Sequence, residues 1–309
     1  MKILLAGATG AIGRPLIRRL REDRHTVFGL ARSPSSRSAL VKLGAEPVTA
    51  DALDATSVAD AIMRVRPQAV INELTSLPSH YTPDEMRAAA ERGHKVRTQG
   101  NLNLIAALSD GGVQRYLLQS SGFWYAPGVG LADESAPFAF DASPGIAAGA
   151  RTYAELESSA LRKAGVECVA LRYGFFYGPG TWYTREGDMG EQVRQGHVPV
   201  IGKGQGLWSF VHIEDAAAAT VAALQCPPGA YNVVDGDPAP QHVWLPAFAS
   251  AAGAPEPPRI TEEEALATLG ADTIYYATRL RGASNEKAKR ELRFRPRPLE
   301  WLQLAAAKV

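Results

Sequence analysis

Tyr153 and Glu157 stand four residues apart in "ARTYAELESSAL" (150–161), a stretch with the pattern of an amphipathic helix. That spacing puts both side chains on one helix face. The phenol is either a proton donor with a carboxylate neighbour or an aromatic residue packing the helix, and its surroundings must decide. A second chemical signal opens the chain. "AGATGAIG" supplies Gly7, Gly10 and Gly13 directly after a short apolar run. Glycines so spaced allow a tight turn and bring a pyrophosphate close to a helix N-terminus, where free N–H groups and the helix dipole favour an anion. Gly7, Thr9, Gly10, Ala11, Ile12 and Gly13 are the expected contacts.

The end of the next apolar run selects the dinucleotide. A carboxylate there would hold the ribose 2′-hydroxyl of NAD, but "LARSPSSR" offers Arg32, Ser33 and Arg37 and no acid. Cations and hydroxyls suit a 2′-phosphate, so NADP is expected ahead of NAD. Asp51 in "VTADALD" either accepts from the adenine amino group or makes a plain turn. Ala52 beside it, Leu74 and Thr75, and Gly174 and Phe175 complete the expected cofactor contacts, with Tyr153 itself.

These residues need a scaffold. The 309 residues suffice for one large α/β unit or two smaller domains with a shared core. Basic and acidic residues nearly balance, 33 against 32, with no run of like charge, which removes electrostatic support for a nucleic-acid or membrane-surface partner. Cys168 and Cys226 match no metal or redox spacing; they read as buried apolar residues in a reducing compartment, and no metal site is expected. "MKILLAG" is too short in apolar length for a signal peptide, and no stretch approaches a spanning helix, so a cytoplasmic protein is expected. Short apolar runs ("KILLAG", "HTVFGLA", "EPVTADA", "QAVINEL", "RYLLQSS", "ECVALRYG") read as strands. Helical patterns separate them: one with Ile12, Leu16, Ile17 and Leu20 on a face, one over Ser36–Leu43, one at "SVADAIMRV", and a long one ending at "GNLNLIAALSDGG". That alternation predicts an α/β fold with a doubly wound parallel sheet. Beyond Gly178, glycine and proline become frequent, and helices over Thr261–Leu269 and Asn285–Leu292 suggest a smaller C-terminal lobe.

"GATGAIG", "ADALD", "NLIAA" and "LLQSSGFWYAPG", followed by "LRYGFFYGPG", "FVHIEDAAAAT", "YNVVDGDP" and "SNEKAKREL", resemble in order and spacing the extended short-chain dehydrogenase/reductases, the NAD(P)-dependent epimerase/dehydratase-like proteins. The match covers nearly the whole chain. It implies a Rossmann-type dinucleotide-binding domain over 1–177, rejoined by about 207–236, with 178–309 mainly a substrate-binding lobe, and a homodimer. It also implies a catalytic Ser, and a Tyr and Lys in Tyr-x-x-x-Lys spacing. Ser121, four before Tyr125, takes the serine position, and Tyr153 the tyrosine position. Two positions depart. Glu157 stands where the family has lysine, and Arg97 where it has a helix asparagine. The family's lysine holds the nicotinamide ribose and favours the tyrosinate; a glutamate could still accept from the ribose hydroxyls, but it disfavours a tyrosinate base and suits a neutral phenol that donates a proton. Arg97 would partly compensate if it points into the site, and an exposed Glu157 would mean catalysis lost or rebuilt.

Phe123, Trp124, Phe176, Trp182 and Tyr183 cluster near Ser121 and after the sixth run, and aromatic walls suit an apolar or aromatic ligand. The alternative for each is core packing. His212 and Asp215 read as structural, Asp215 as a cap of the alanine-rich helix. The combined expectation is an NADP(H)-dependent oxidoreductase that reduces a carbonyl of a small, apolar or aromatic substrate, with Ser121 polarising the carbonyl and Tyr153 donating the proton. Its rivals are an NAD-retaining nucleotide-sugar epimerase or dehydratase, and a catalytically degenerate NADP(H)-binding regulatory protein.

Overall fold

Seven strands build one parallel sheet, and their apolar runs are continuous because both faces are covered. The computed structural model describes residues 1–78, 80 and 82–306. The first half alternates β1 (Lys2–Ala6), α1 (Gly13–Glu22), β2 (Thr26–Ala31), α2 (Pro34–Leu43), β3 (Glu46–Thr49), α3 (Ala55–Val65), β4 (Ala69–Asn72), α4 (Pro83–Ala107), β5 (Arg115–Ser121), α5 (Pro144–Leu161) and β6 (Glu167–Tyr173). Next come β7 (Phe175–Tyr177), α6 (Asp188–Arg194), β8 (Val200–Ile201), β9 (Leu207–Trp208), β10 (Phe210–His212), α7 (Ile213–Ala222) and β11 (Gly229–Val233). The chain ends with β12 (Ala239–Pro240), α8 (Gln241–Ala252), β13 (Arg259–Ile260), α9 (Glu262–Thr268), α10 (Ala271–Thr278), α11 (Glu286–Glu291) and α12 (Glu300–Ala306).

The sheet order is β11-β6-β5-β4-β1-β2-β3. The order in which successive strands are added reverses between β1 and β4, the place where open α/β sheets leave a crevice at their carboxyl ends. On one face, α1 and α7 pack together over a core that includes Leu16, Ile17, Ala216 and Tyr231. On the other, α3, α4 and α5 cover Leu4, Val70, Tyr116 and Leu118. The remaining short elements enclose a separate aromatic core of Trp208, Phe210, Trp244, Phe248 and Trp301. No helix among the described residues is long and apolar enough to cross a membrane, and none of their acidic, His or Cys residues group as metal ligands.

Local side-chain bonds set several boundaries that periodicity leaves open. The third strand stops at Thr49, not at Ala52, because the Asp51 carboxylate accepts from the Leu53 N–H and Asp54 then caps α3. The fourth stops at Asn72, whose Oδ1 accepts from the Leu74 N–H. The second helix starts at Pro34, before Ser36, because Ser33 caps it.

Behind the crevice, directly after β4, lies a buried acid. Glu73 accepts from the Tyr173 hydroxyl at 3.0 Å, Tyr173 shares a bond with Thr220, and the second Glu73 oxygen is buried without a partner. Burial pushes this carboxyl up to about 8, against the Tyr173 hydrogen bond, which favours ionisation. Unfolded, it ionises in the ordinary carboxylate range. Between those two pH values the native state keeps a proton that the unfolded chain has released, so stability falls as pH rises through that window. Glu73→Gln has no such proton. Its urea midpoint is expected to fall less than the wild type's between about pH 5 and about pH 8.5, and equal falls would contradict the assignment.

Candidate active site

The Gly-rich turn fits a dinucleotide for steric reasons. Gly7 has φ +82°, and a Cβ on it would lie 2.2 Å from the Glu73 carbonyl oxygen; a Cβ on Gly13 would lie 2.4 Å from that of Ala8. Side chains are thus excluded where β1, β4 and α1 converge. Thr9, Gly10 and Ala11 are exposed, Ile12 is buried, and α1 begins with no side-chain cap and no acid in its first turn. Its leading N–H groups remain available to an anion. Arg32 and Arg37 are exposed and pair with no acid among the described residues, whereas Ser33 spends its hydroxyl on capping α2 and on Ser35 and Ser36. The turn at Asp51 and Ala52 is tied to α4 by the Asn103 amide, which donates to the Ala52 carbonyl at 2.8 Å. Leu74 and Thr75 are half-buried beyond β4, and Gly174 leaves room for the Ser209 carbonyl, 2.4 Å from where its Cβ would be.

Tyr153 and Glu157 do share one face of α5, and both are buried. They nevertheless have different neighbours. Glu157, expected in the catalytic set, is turned onto the sheet. Its Oε1 accepts from Arg172 Nε at 2.8 Å and from the Ser120 hydroxyl, and its Oε2 accepts from Arg172 Nη2 at 2.6 Å. Arg172 continues the network to the Tyr125 hydroxyl and the Glu134 carbonyl, and Tyr125 donates to Asn232 at 2.6 Å. Burial pushes the Tyr125 hydroxyl up to about 12, against the nearby Arg172. Both oxygens of this carboxylate are thus engaged by a partner on the sheet.

Tyr153 instead meets Trp124 edge to face, with ring centres 5.2 Å apart, and the Arg97 guanidinium carbon 5.9 Å from its ring centre. Its hydroxyl bonds to no described residue. Ser121 ends β5 at the carboxyl edge, 2% exposed, with a buried hydroxyl that has no partner. Such an orphan costs free energy unless a ligand satisfies it.

The expected aromatic wall divides. Phe123 stacks on Phe175 at 4.2 Å, and Phe175 on Trp208 at 4.3 Å. Trp124 fills the space above Gly149 and donates to the Tyr276 hydroxyl at 3.1 Å. Phe175, expected against the cofactor, thereby joins this wall. Phe176, expected with the substrate, packs against Tyr173 and the α1–α7 core, while Tyr183 is 3% exposed among Phe210, Trp244 and Phe248. Trp182 is half-buried at the edge of that same lobe core. Alternation along β7 sends neighbours to opposite sides, which separates Phe175 from Phe176. Tyr276 and Trp208 were not expected in the wall; they come from α10 and β9, distant in sequence and with no local signal. His212 accepts from the Glu214 N–H at the start of α7, and Asp215 holds Arg297.

Comparison with known proteins bears on the family and the fold. A family model described as the NAD dependent epimerase/dehydratase family matches residues 3–233. A 3-diazoavenalumate denitrifying reductase from Streptomyces sp is 38% identical over 304 residues, 97% of this chain and 98% of its own length. A 2-alkyl-3-oxoalkanoate reductase from Stenotrophomonas maltophilia (strain K279a) is 27% identical, covering 91% of this chain and 86% of that protein. Among solved structures, the UDP-glucose 4-epimerase of Thermus thermophilus in complex with NAD superposes with a TM-score of 0.72 at 23% identity, covering 96% of this chain and 94% of that one. The dTDP-glucose 4,6-dehydratase of Streptomyces venezuelae with NAD bound gives 0.75 at 19% identity, covering 100% and 98%. These two likenesses establish the fold.

The Glu157–Arg172 pair gives a test in which sequence resemblance and packing predict opposite results. Glu157→Lys restores the family's spacing but sets an ammonium against a buried guanidinium. It is expected to destabilise the protein by about 3–5 kcal/mol, the cost of leaving a buried charge uncompensated. Arg172→Glu in the same chain should recover part of that loss in urea unfolding. A Glu157→Lys protein as stable as the wild type would contradict the pairing.

Proposed function

The chain belongs to the NAD dependent epimerase/dehydratase family, and on that premise we propose that it is an NADP(H)-dependent reductase acting on a carbonyl of a small apolar or aromatic compound. The observation that carries the reading is its 38% identity, over almost the full length of both chains, to a protein named as a reductase; the second relative is also named as one. Gly7, Gly10 and Gly13 would hold the pyrophosphate at the start of α1, and Arg32 and Arg37 the 2′-phosphate. When bound, the dinucleotide supplies hydride. The partnerless Ser121 hydroxyl would donate to the carbonyl oxygen, and the unbonded Tyr153 hydroxyl would deliver the proton that turns this oxygen into an alcohol. With Glu157 committed to Arg172, nothing on α5 regenerates a tyrosinate, which favours reduction over alcohol oxidation. Phe123, Trp124, Phe175 and Tyr276 would form the apolar wall.

A second reading of the same site is supported by that missing proton relay. The Streptomyces relative is named for a diazo compound and for denitrification. If this chain acts on a diazonium-bearing ring, hydride takes the carbon, the C–N bond breaks, and dinitrogen leaves with the bonding pair. No proton is required from the protein.

One variant separates the readings. Tyr153→Phe is expected to lower kcat for carbonyl reduction by about 10²–10⁴-fold. Unchanged carbonyl turnover would contradict the proton-donor role, and retained dinitrogen release from an aryl diazonium probe would establish the second reading. In the cofactor test, NADPH should bind more tightly than NADH, and Arg32→Ala should narrow the difference. Preference for NADH in the wild type would overturn the choice of NADP.

A further inference from the structure

Among the described residues, Arg97 is a cation without an ion-pair partner beside the candidate catalytic tyrosine. It lies in α4, and its side chain lines a cavity of about 10 Å³ with Asn72, Leu74, Leu118, Gln119 and Leu156. Its Nε is buried with no hydrogen-bond partner, and it forms no ion pair among the described residues. A partly desolvated guanidinium left in that state costs free energy that an arriving anion offsets. Among the described residues no carboxylate pairs with it. Glu157, the carboxylate on the Tyr153 face of α5, is held bidentately by Arg172.

The neighbouring groups define which anion fits. Arg97 lies 5.9 Å from the Tyr153 ring centre and Trp124 lies 5.2 Å from it, so a cationic end and an apolar wall both adjoin the phenol. A nucleoside diphosphate needs several cations, whereas among the described residues Arg97 is the one cation set against the Tyr153 ring. One planar guanidinium instead matches one carboxylate, which it can bind through two parallel N–H···O bonds.

We propose that Arg97 is a specificity-determining residue that binds a carboxylate carried by the substrate, so that the cleft selects carboxylate-bearing apolar or aromatic compounds. This rests on reading the cleft around Tyr153 as the substrate site. Both relatives carry names of carboxylates, "3-diazoavenalumate" and "2-alkyl-3-oxoalkanoate", and a carboxylate handle is compatible with either reaction considered above. It also removes the need for a nucleotide on the substrate.

Calorimetric titration of the full chain, with NADP present, tests this without turnover. The probes are 4-phenylbutanoate and its neutral amide, which share an apolar body and differ in charge. Wild-type protein is expected to bind the carboxylate about tenfold or more tightly than the amide, the value of a charge-assisted hydrogen bond. Arg97→Gln should abolish that preference with NADP affinity unchanged, and Arg97→Lys should restore part of it. Arg97→Met keeps the side-chain bulk and should behave as Gln does, which guards against a folding defect in either variant. Absence of carboxylate preference in the wild type, an undiminished preference in both neutral variants, or a loss of NADP affinity in them would overturn the proposal. Because binding is read and not reaction, failure of the Tyr153 proton-donor role leaves these results interpretable.

Discussion

The buried Glu157–Arg172 pair is the constraint around which the cleft is arranged. Desolvating a carboxylate and a guanidinium is expensive, and the cost is tolerable only where the remaining lone pairs and protons are satisfied. Ser120, Tyr125 and the Glu134 carbonyl meet that requirement, and the guanidinium carbon lies 4.7 Å from the Phe138 ring centre. The network joins α5 to β5 and β6, and through Tyr125 and Asn232 to β11. It thereby fixes the rotation of α5 about its axis. One turn earlier, that rotation sets Tyr153 between Trp124 and Arg97.

The same pair explains what could be read from the residues alone. The sheet was legible because buried parallel strands are apolar throughout, and the Gly-rich turn because a Cβ at Gly7 would strike the Glu73 carbonyl. Glu157 carried a signal of its own. It falls on the stripe of α5 shared with Ile146, Ala150, Tyr153 and Ala160, and Arg172 falls in the buried part of β6, after Cys168–Leu171. Two charges in two core positions imply one another. Resemblance to a Tyr-x-x-x-Lys pattern drew attention instead to the cofactor. Phe176 and Tyr183 were not separable from Phe123 by type or proximity in sequence; only the alternation of β7 and the packing of the lobe send them elsewhere. Tyr276 reaches the wall from α10, a long-range contact with no local pattern.

Function follows from which polar groups are spent and which are left. Ser33 is spent on a helix cap, Glu157 on a core ion pair and Asp215 on Arg297. Ser121, the Tyr153 hydroxyl and Arg97 remain, all at the carboxyl edge or the helices above it. A buried serine hydroxyl, a phenol and a cation next to an apolar wall suit an electron-poor centre on an anionic organic molecule. They suit less well the alcohol oxidation that begins epimerisation, because Glu157 stands in the lysine's place and Arg97 at 5.9 Å from the ring centre compensates only in part.

The most direct measurement of the central claim follows a label. NADPH carrying deuterium at nicotinamide C4 is incubated with the protein and a carboxylate-bearing aryl ketone, and the product is analysed by mass spectrometry and NMR. A reductase of this class gives an alcohol with deuterium on the former carbonyl carbon, in step with formation of oxidised NADP. Tight binding of the labelled dinucleotide with no deuterium transferred, across ketone and diazonium probes alike, would contradict it and leave a dinucleotide-binding protein without hydride chemistry.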